Sequence, residues 1–381
     1  MSYVFRYVAY PRRGFRQNSL ISLLVLLSLL GYLYYTASVR LKEIERQQRI
    51  MAMGATDDDE YDHESGRIVE WKAKYDRDEY VYQKFNRSCY MPNMPPYLLK
   101  TPVKESVLKQ RGCERRLPSA IIAGVRKCGT TPLMNFLLLH PSIVGPGPEP
   151  HYFDAQYDKG IDWYRNQMPY SAPHQITIEK TPTYFIHPHD VPPKIRMDVS
   201  LNTKIILILC DPVHRLVSDY LEWTMKQPKF SLGMRHKFIA ETFEKSVIEG
   251  DRFGTVNMFN EIVDLGVYVK HMIRWFEYFP PGQIMIIDGE TFKLNPVQEL
   301  QRLEDFLGIR PFFQTEHFYY DSTKNFFCMA FPEKRCLGSS KGRTHPDISE
   351  RILKTLCEYY RPYDITLSKM TDMTFSWLGK C

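Results

Sequence analysis

Several familiar sequence signatures are absent from this chain of 381 residues. No internal repeat is apparent, and the 20 glycines and eight cysteines are too few for a collagen-like chain or a disulfide-rich miniprotein. With 44% hydrophobic, 14% aromatic and 25% charged residues, the composition also excludes a chain that is disordered throughout. One large globular domain with additional segments is therefore expected. The formal charge of +6 is compatible with a nucleic acid, an acidic polymer or a membrane surface as partner, and does not choose among them.

Charge is missing from one stretch near the N-terminus. Residues 17–39 carry none, and 20–33 are almost wholly apolar, which at about 1.5 Å per residue is long enough to cross a bilayer. Arginines but no acidic residues precede this stretch, so the positive-inside rule keeps the N-terminus cytoplasmic. The sequence predicts a cytoplasmic tail over 1–16 and a transmembrane signal anchor over 17–39. A cleaved signal peptide is the alternative, but the run is long for one and no small-x-small site ends it.

This topology places about nine tenths of the chain in the secretory lumen, where cysteines can oxidise. Cys328 and Cys336 lie close together in a loop-like segment and are the expected disulfide, with two buried free thiols as the alternative. Sequence alone does not pair the other cysteines. The only Asn-x-Ser/Thr sequon begins at Asn86, which is the expected glycosylation site.

A stem and one α/β domain account for the lumenal chain. Residues 40–117 are charged, include a Pro-rich segment and show little apolar periodicity, so we expect a stem; a small domain around Trp71 to Tyr82 is the weaker alternative. Over 118–381, β-rich runs alternate with helical stretches, which indicates a parallel sheet covered by helices. The expected strands are Ala120 to Val125, Ile176 to Glu179, Lys204 to Leu209 and Ile284 to Asp288. The expected helices are Pro132 to Leu139, Pro212 to Lys226, Tyr268 to Phe279, Val297 to Leu307 and Ser349 to Tyr360.

The first expected strand runs into a glycine-containing loop, residues 124–131. Strand, loop and helix in this order form a phosphate cradle, because glycines permit close approach, N–H groups point at the anion and the helix dipole favours its charge. The helix is expected to open at Pro132, where a missing N–H costs nothing. An ATP-type P-loop would end in Gly-Lys-Ser/Thr, but Gly129 is followed by Thr130 and Lys127 comes two residues earlier, so a Walker kinase is not expected. Taken alone, the loop is as compatible with a structural role as with phosphate binding.

Five segments in order resemble the heparan sulfate glucosamine 3-O-sulfotransferases, and the likeness runs from about Leu117 to Trp377. These segments are 124–131, 149–154, 179–182, 211–220 and 341–346. Pro150 and residues 157–160 look most like the subgroup that includes the type 3 enzymes. The resemblance implies a P-loop-like sulfotransferase fold and a sulfuryl donor, 3'-phosphoadenosine 5'-phosphosulfate (PAPS). It further implies a single-pass type II Golgi enzyme that acts on the glucosamine 3-OH of heparan sulfate, with no strict metal requirement and no nucleic-acid partner.

The resemblance also assigns roles to residues. In-line sulfuryl transfer needs a base for the acceptor hydroxyl, matched by Glu149, and positive charge at the leaving 5'-phosphate, matched by Lys127 and Lys180. His151 would orient Glu149 or contact the sugar. The expected donor-binding residues are Lys127, Cys128, Gly129, Thr130, Thr131, Cys210, Ser218, Lys341, Gly342, Arg343, Thr344 and His345. The expected acceptor-binding residues are Arg126, Glu149, His151, Asp154, Lys159, Lys180 and Thr181, together with Trp275 and Phe276, which a helix core would explain equally well.

Two positions depart from the family pattern. The family usually has arginine before Asp-Pro, where this chain has Cys210, and its loop usually ends in arginine, where this chain has Thr131. Each change removes a cation expected near the donor phosphates. This opens a second hypothesis, a catalytically weak membrane-anchored protein that binds heparan sulfate, and a sulfotransferase for another glycan or position is a third. The enzyme is favoured because five features of the family pattern persist: Glu149, Lys127, Lys180, Ser218 and the loop that begins at Lys341.

Overall fold

The computed structural model describes residues 77–92, 99–226, 239–250, 254–336, 338 and 348–380. The chain divides into two compact units, Met1–Glu70 and Trp71–Cys381, and the described residues all belong to the second. The expected cytoplasmic tail and signal anchor lie outside the described residues. Among the helices of the described ranges, none combines the length and apolar character needed to span a membrane.

A parallel sheet of five strands lies at the centre of this unit. Its strands are β1 (Ala120–Gly124), β2 (Ile143–Val144), β3 (Ile176–Lys180), β4 (Lys204–Leu209) and β5 (Ile284–Asp288), in the order β2-β3-β1-β4-β5. Every residue of β1, β2 and β5 is buried, as continuous apolar runs require when helices cover both faces of a sheet. The predicted α/β class and the bounds predicted for β4 and β5 are confirmed.

Helices flank the sheet. They are 77–85, Glu105–Gln110, Thr130–Leu137, Tyr152–Ala155, Gly160–Gln167, Val191–Asp198, Pro212–Lys226, Phe243–Val247, Glu261–Asp264, Tyr268–Tyr278, Gly289–Leu294, Pro296–Leu307 and Glu350–Thr371, with 3-10 turns at Tyr157–Lys159, Pro182–Ile186, Pro281–Gln283 and Thr315–His317. Short antiparallel strand pairs join Glu114–Arg115 to Tyr170–Ser171, Ile248–Glu249 to Thr255–Val256, and Phe318–Asp321 to Phe326–Met329.

Two of the helices differ from the predicted ones at both ends, the helix after β1 and the last helix. The helix after β1 begins at Thr130 rather than Pro132, because Gly129, with φ 104°, turns the chain directly into the first helical turn. The last helix continues past Tyr360 to Thr371 even though Pro362 lies inside it. Its buried residues include Tyr360 and Leu367, so packing against the core extends the helix beyond the proline.

The described part of the expected stem is structured. A disulfide joins Cys89 to Cys113, and a small apolar cluster with Phe85, Tyr90 and Leu108 surrounds it. The structure also bonds Cys328 to Cys336, the pair expected from the sequence, and Cys128 to Cys210, a pair that was not anticipated. No cysteine in the described part of the chain is free. Residues 77–92 and 99–117 therefore have a crosslink and an apolar cluster of their own, and Tyr170 and Ala172 connect that cluster to the rest of the unit.

The turn after β2 offers a test of this packing. A Cβ at Gly145 would lie 2.4 Å from the backbone oxygen of Ile178 in β3, whereas a Cβ at Gly147 meets nothing within 4 Å. We expect Gly145→Ala to lower the free energy of unfolding by about 1–3 kcal/mol, because the strand backbone must shift. Gly147→Ala serves as the matched control, and denaturant unfolding of both variants measures the difference. Equal stability of the two variants would contradict this packing.

Candidate active site

The predicted site residues converge on the carboxyl edge of the sheet. The loop of residues 124–131, hereafter the phosphate loop, follows β1, and the segment with Glu149 follows β2. Lys180 ends β3, and Cys210 follows β4. In open α/β sheets, ligands bind outside the carboxyl ends of the strands, where neighbouring connections diverge. Strand β1 lies between β3 and β4, so the loop after it lies at the middle of that edge.

The phosphate loop has the backbone form that such a cradle needs. Lys127 and Gly129 are left-handed, with φ values of 77° and 104°, and a non-glycine residue adopts this conformation only at a cost that surrounding contacts must offset. The loop is anchored where Val125 N–H donates to the Ile208 carbonyl at 3.0 Å. Thr130 and Thr131 form the first turn of the next helix, whose N–H groups lack intrahelical partners. These groups fit a phosphate.

The two basic side chains of this loop face the helix Pro212–Lys226. Lys127 forms an ion pair with Glu222, at 2.5 Å between Nζ and Oε2. Arg126 pairs with Asp219 at 2.9 Å and lies over the Trp223 ring at 5.0 Å. Both cations therefore already have counter-charges in the absence of ligand. Sequence reasoning did not identify Glu222, and nothing in its local sequence distinguishes it from a surface carboxylate.

Arg126 belongs to a cluster of charged side chains that also contains Arg215 and Asp219. The fully buried Arg215 pairs with Asp219 at 2.9 Å and donates a hydrogen bond to the Ile262 carbonyl. Asp219 therefore lies between Arg215 and Arg126. Among the described residues, the Nε atoms of both arginines and Oδ1 of Asp219 have no hydrogen-bond partner. Ser218, expected at the donor's 3'-phosphate, is half-buried next to this cluster in the chain. The Arg215 and Asp219 spacing of four residues was the available sequence signal.

Cys210 requires a correction. It was expected to present a thiol to the donor's 3'-phosphate, but it is bonded to Cys128 in the phosphate loop. The pair forms because β1 and β4 are adjacent parallel strands, so that the two cysteines meet at the same edge with Cα atoms 5.3 Å apart. Neither cysteine offers a thiol to a ligand.

Glu149 is held by two basic groups. Lys180 donates a hydrogen bond to its Oε1, and His151 Nε2 lies 3.3 Å from its Oε2. His151 Nδ1 lies 3.1 Å from Asp154, which also accepts a 2.5 Å hydrogen bond from the Thr183 hydroxyl. The expected pairing of His151 with Glu149 is therefore present, extended by Asp154 into a chain of three groups.

These contacts shift the pKa values of Glu149 and His151. Burial alone would raise the pKa of Glu149, but hydrogen bonds from His151 and Lys180 and their positive charges lower it to about 2. Hydrogen bonds to Asp154 and Glu149 raise the pKa of His151 to about 10, against the opposing effect of burial. At neutral pH Glu149 is therefore a carboxylate and His151 an imidazolium.

Buried polar side chains lie next to Lys180 in the chain, at the end of β3 and just after it. Glu179 is fully buried and accepts 3.0 Å hydrogen bonds from the Tyr164 and Thr181 hydroxyls, and its burial raises its pKa to about 7. Thr181 was expected to bind acceptor, but it is buried and its hydroxyl is directed to Glu179. Tyr184, which sequence reasoning missed, accepts a hydrogen bond from Tyr152 N–H at 2.9 Å and so fixes the segment after His151.

The remaining expected residues divide into three groups. Trp275 is fully buried and its Nε1 donates to the Phe185 carbonyl at 3.2 Å. The expected contact of Trp275 with the acceptor was therefore wrong, and the alternative of a core residue holds. Phe276 packs against the same core. Lys159 Nζ lies 4.6 Å from the centre of the Trp163 ring. The basic loop of residues 341–345 lies outside the described residues.

Comparison with known proteins identifies the family. The sulfotransferase domain model matches residues 117–373. Human heparan sulfate glucosamine 3-O-sulfotransferase 3A1 is 39% identical over 269 residues, which cover 70% of this chain and 63% of that protein. The mouse heparan sulfate glucosamine 3-O-sulfotransferase 6 is 38% identical over 267 residues, covering 69% of this chain and 74% of that protein.

A solved structure agrees with the fold, although the sequences have diverged. The sulfotransferase from Alicyclobacillus acidocaldarius aligns with a TM-score of 0.50 at 18% identity, covering 68% of this chain and 98% of that one. The chain spans less than two thirds of the length of the human 3A1 relative. The family match, the sequence identity and the sheet together show that this chain belongs to the sulfotransferases, within the heparan sulfate glucosamine 3-O-sulfotransferase family.

Proposed function

We propose that this protein transfers a sulfuryl group from PAPS to the 3-OH of glucosamine residues in heparan sulfate. The observation that carries the proposal is the position of Glu149, which lies between Lys180 and His151 at the same sheet edge as the phosphate loop. The choice of acceptor is supported by the relatives of this chain that are named heparan sulfate glucosamine 3-O-sulfotransferases. A carboxylate for the acceptor hydroxyl and cations for the departing phosphate are what an in-line transfer requires.

The donor-binding half of the site uses backbone and charge together. N–H groups at the start of the helix Thr130–Leu137 and the ammonium of Lys127 would hold the 5'-phosphate, while Ser218 would hold the 3'-phosphate. PAPS, when bound, supplies the sulfuryl group and leaves as the 3',5'-bisphosphate. Lys127 must then exchange Glu222 for the ligand.

The low pKa of Glu149 fits a base that is activated during binding. At a pKa of about 2, Glu149 is fully ionised but weakly basic, because Lys180 and His151 stabilise its charge. When Lys180 turns to an anionic ligand, that stabilisation falls and the pKa of Glu149 rises toward its ordinary value. Asp154 keeps His151 in place throughout, so the carboxylate stays oriented while its basicity increases.

A transfer assay tests the proposal. Purified lumenal protein is incubated with radiolabelled PAPS and either heparan sulfate or chondroitin, and the labelled product is digested to disaccharides to locate the sulfate. We expect label on the 3-OH of glucosamine with heparan sulfate and none with chondroitin. Label at another position would favour the hypothesis of a sulfotransferase that acts on another glycan or position. Binding of heparan sulfate without transfer would favour the hypothesis of a catalytically weak protein that binds this polysaccharide.

We further propose that the protein is a single-pass type II protein of the Golgi membrane with its enzyme domain in the lumen. The proposal rests on the uncharged stretch 17–39 and the arginines before it. In sealed microsomes, a C-terminal tag should resist added protease until detergent is present. The exposed Asn86 should carry a glycan removable by endoglycosidase. Digestion of the tag without detergent would overturn this orientation.

A further inference from the structure

The disulfide between Cys128 and Cys210 joins two segments that the proposed donor site needs together. Cys128 lies between the left-handed Lys127 and Gly129 in the phosphate loop. Cys210 follows β4 and directly precedes Asp211, at the start of the helix that carries Ser218. The two cysteines are 82 residues apart in sequence, so the bond links the two phosphate-binding segments across adjacent strands.

The surroundings hold the bond in a closely packed position. Cys128 and Cys210 are only 5% and 6% exposed. The Tyr268 hydroxyl donates to the Cys210 carbonyl at 2.9 Å and lies 3.5 Å from Cys128 Sγ. Gly289 packs against both segments, since a Cβ there would lie 3.1 Å from the Cys128 carbonyl oxygen and 3.1 Å from Cys210 Cβ. The loop therefore cannot move away from β4 while the bond is intact.

We propose that the Cys128–Cys210 disulfide is a positioning element of the donor site, which fixes the phosphate loop against the segment Asp211–Asp219. This inference rests on the proposed function. The resemblance implies an arginine at the position of Cys210, so a covalent bond occupies the place expected for a cation. A disulfide adds no charge to the ligand, but it holds the strained backbone at Lys127 and keeps the two phosphate contacts at a fixed spacing before binding. Affinity then comes from preorganisation instead of from an added charge.

Calorimetry with 3'-phosphoadenosine 5'-phosphate (PAP) tests this directly. We expect the Cys128→Ala/Cys210→Ala variant to bind PAP on the order of tenfold more weakly than the native protein, within the usual range of coupling between sites. The matched control is Cys89→Ala/Cys113→Ala, which removes a disulfide outside the site and should retain native affinity. Circular dichroism verifies that each variant is folded at the temperature of the measurement.

A second measurement uses the native protein and does not depend on the variant folding. Dithiothreitol breaks the S–S bond by giving two electrons and two protons, forming two thiols as the reagent closes to its own cyclic disulfide. Because linkage is reciprocal, tenfold weaker PAP binding by the reduced form requires saturating PAP to lower the reduction potential of this bond by about 30 mV. Thiol labelling and peptide mapping follow Cys128, with Cys89 as the internal reference.

The outcomes separate the inference from the function on which it rests. Weaker PAP binding without the bond, or a potential shifted by PAP at Cys128 but not at Cys89, supports the positioning role. Native PAP affinity in the folded double variant, or a potential that PAP leaves unchanged, overturns it while the proposed function stands. Failure of the native, oxidised protein to bind PAP overturns the proposed function and this inference with it.

Discussion

Replacing Glu149 with glutamine is expected to lower turnover by about a hundredfold or more while PAP binding is retained. Glutamine keeps the size and hydrogen-bonding capacity of the side chain but cannot accept the acceptor's proton. The donor phosphates are assigned to other residues, so binding of PAP does not require this carboxylate. Steady-state transfer rates with heparan sulfate, together with calorimetry, give the two quantities.

Glu277→Gln is the matched control, because Glu277 is an exposed helix carboxylate that pairs with the nearby Arg274. Near-native turnover in Glu149→Gln would remove Glu149 from the role of base.

The free energy of unfolding, measured as a function of pH, provides a check that does not need activity. The folded pKa of Glu149 lies below its ordinary 4.5, so its pairs stabilise the fold above that pH and the contribution is lost as pH falls toward 2. Glu149→Gln should lack this acid-side loss.

The second large effect is expected at Asp219. Changing Asp219 to alanine removes the carboxylate between Arg215 and Arg126, each at 2.9 Å, and so removes the one carboxylate that forms an ion pair with the fully buried Arg215 among the described residues. We expect the free energy of unfolding to fall by about 3–5 kcal/mol, because an uncompensated buried charge costs far more than a lost surface pair. Denaturant unfolding followed by tryptophan fluorescence measures the change.

Asp162→Ala provides the comparison, since it breaks an exposed pair with Arg165 that also spans a single helical turn. Exposed pairs of this kind contribute about 0–1 kcal/mol. If Asp219→Ala is no more destabilising than Asp162→Ala, the buried cluster does not stabilise the fold as described.

The elements that sequence predicted best are those set by local pattern. Strands β4 and β5 are short apolar runs with clear ends, and their bounds followed directly. The two-residue strand β2 has no periodicity to detect. Trp275 illustrates the limit for side chains, because helical spacing alone was compatible with a core or a surface position, and only its zero exposure decides between them.

For the candidate site, the order of motifs predicted which residues meet, but not how they pair. The ion pair of Lys127 with Glu222 and the bond of Cys128 with Cys210 join positions that are 95 and 82 residues apart. Such partners are chosen by the adjacency of β1 and β4 and by the helix that follows β4, which local sequence does not encode. Glu149 with His151 was accessible because the two residues are close along the chain.

The carboxylates at the site would weaken its binding of simple anions. Among the described residues, Lys127, Lys180 and the pair of arginines each face an acidic side chain before any ligand arrives. A free sulfate or phosphate would displace one such partner and gain one contact, a nearly even exchange. A nucleotide that reaches the loop and the helix at once displaces several partners with a single loss of translational freedom. The internal ion pairs would therefore discriminate in favour of the extended bisphosphate donor over the inorganic anions around it.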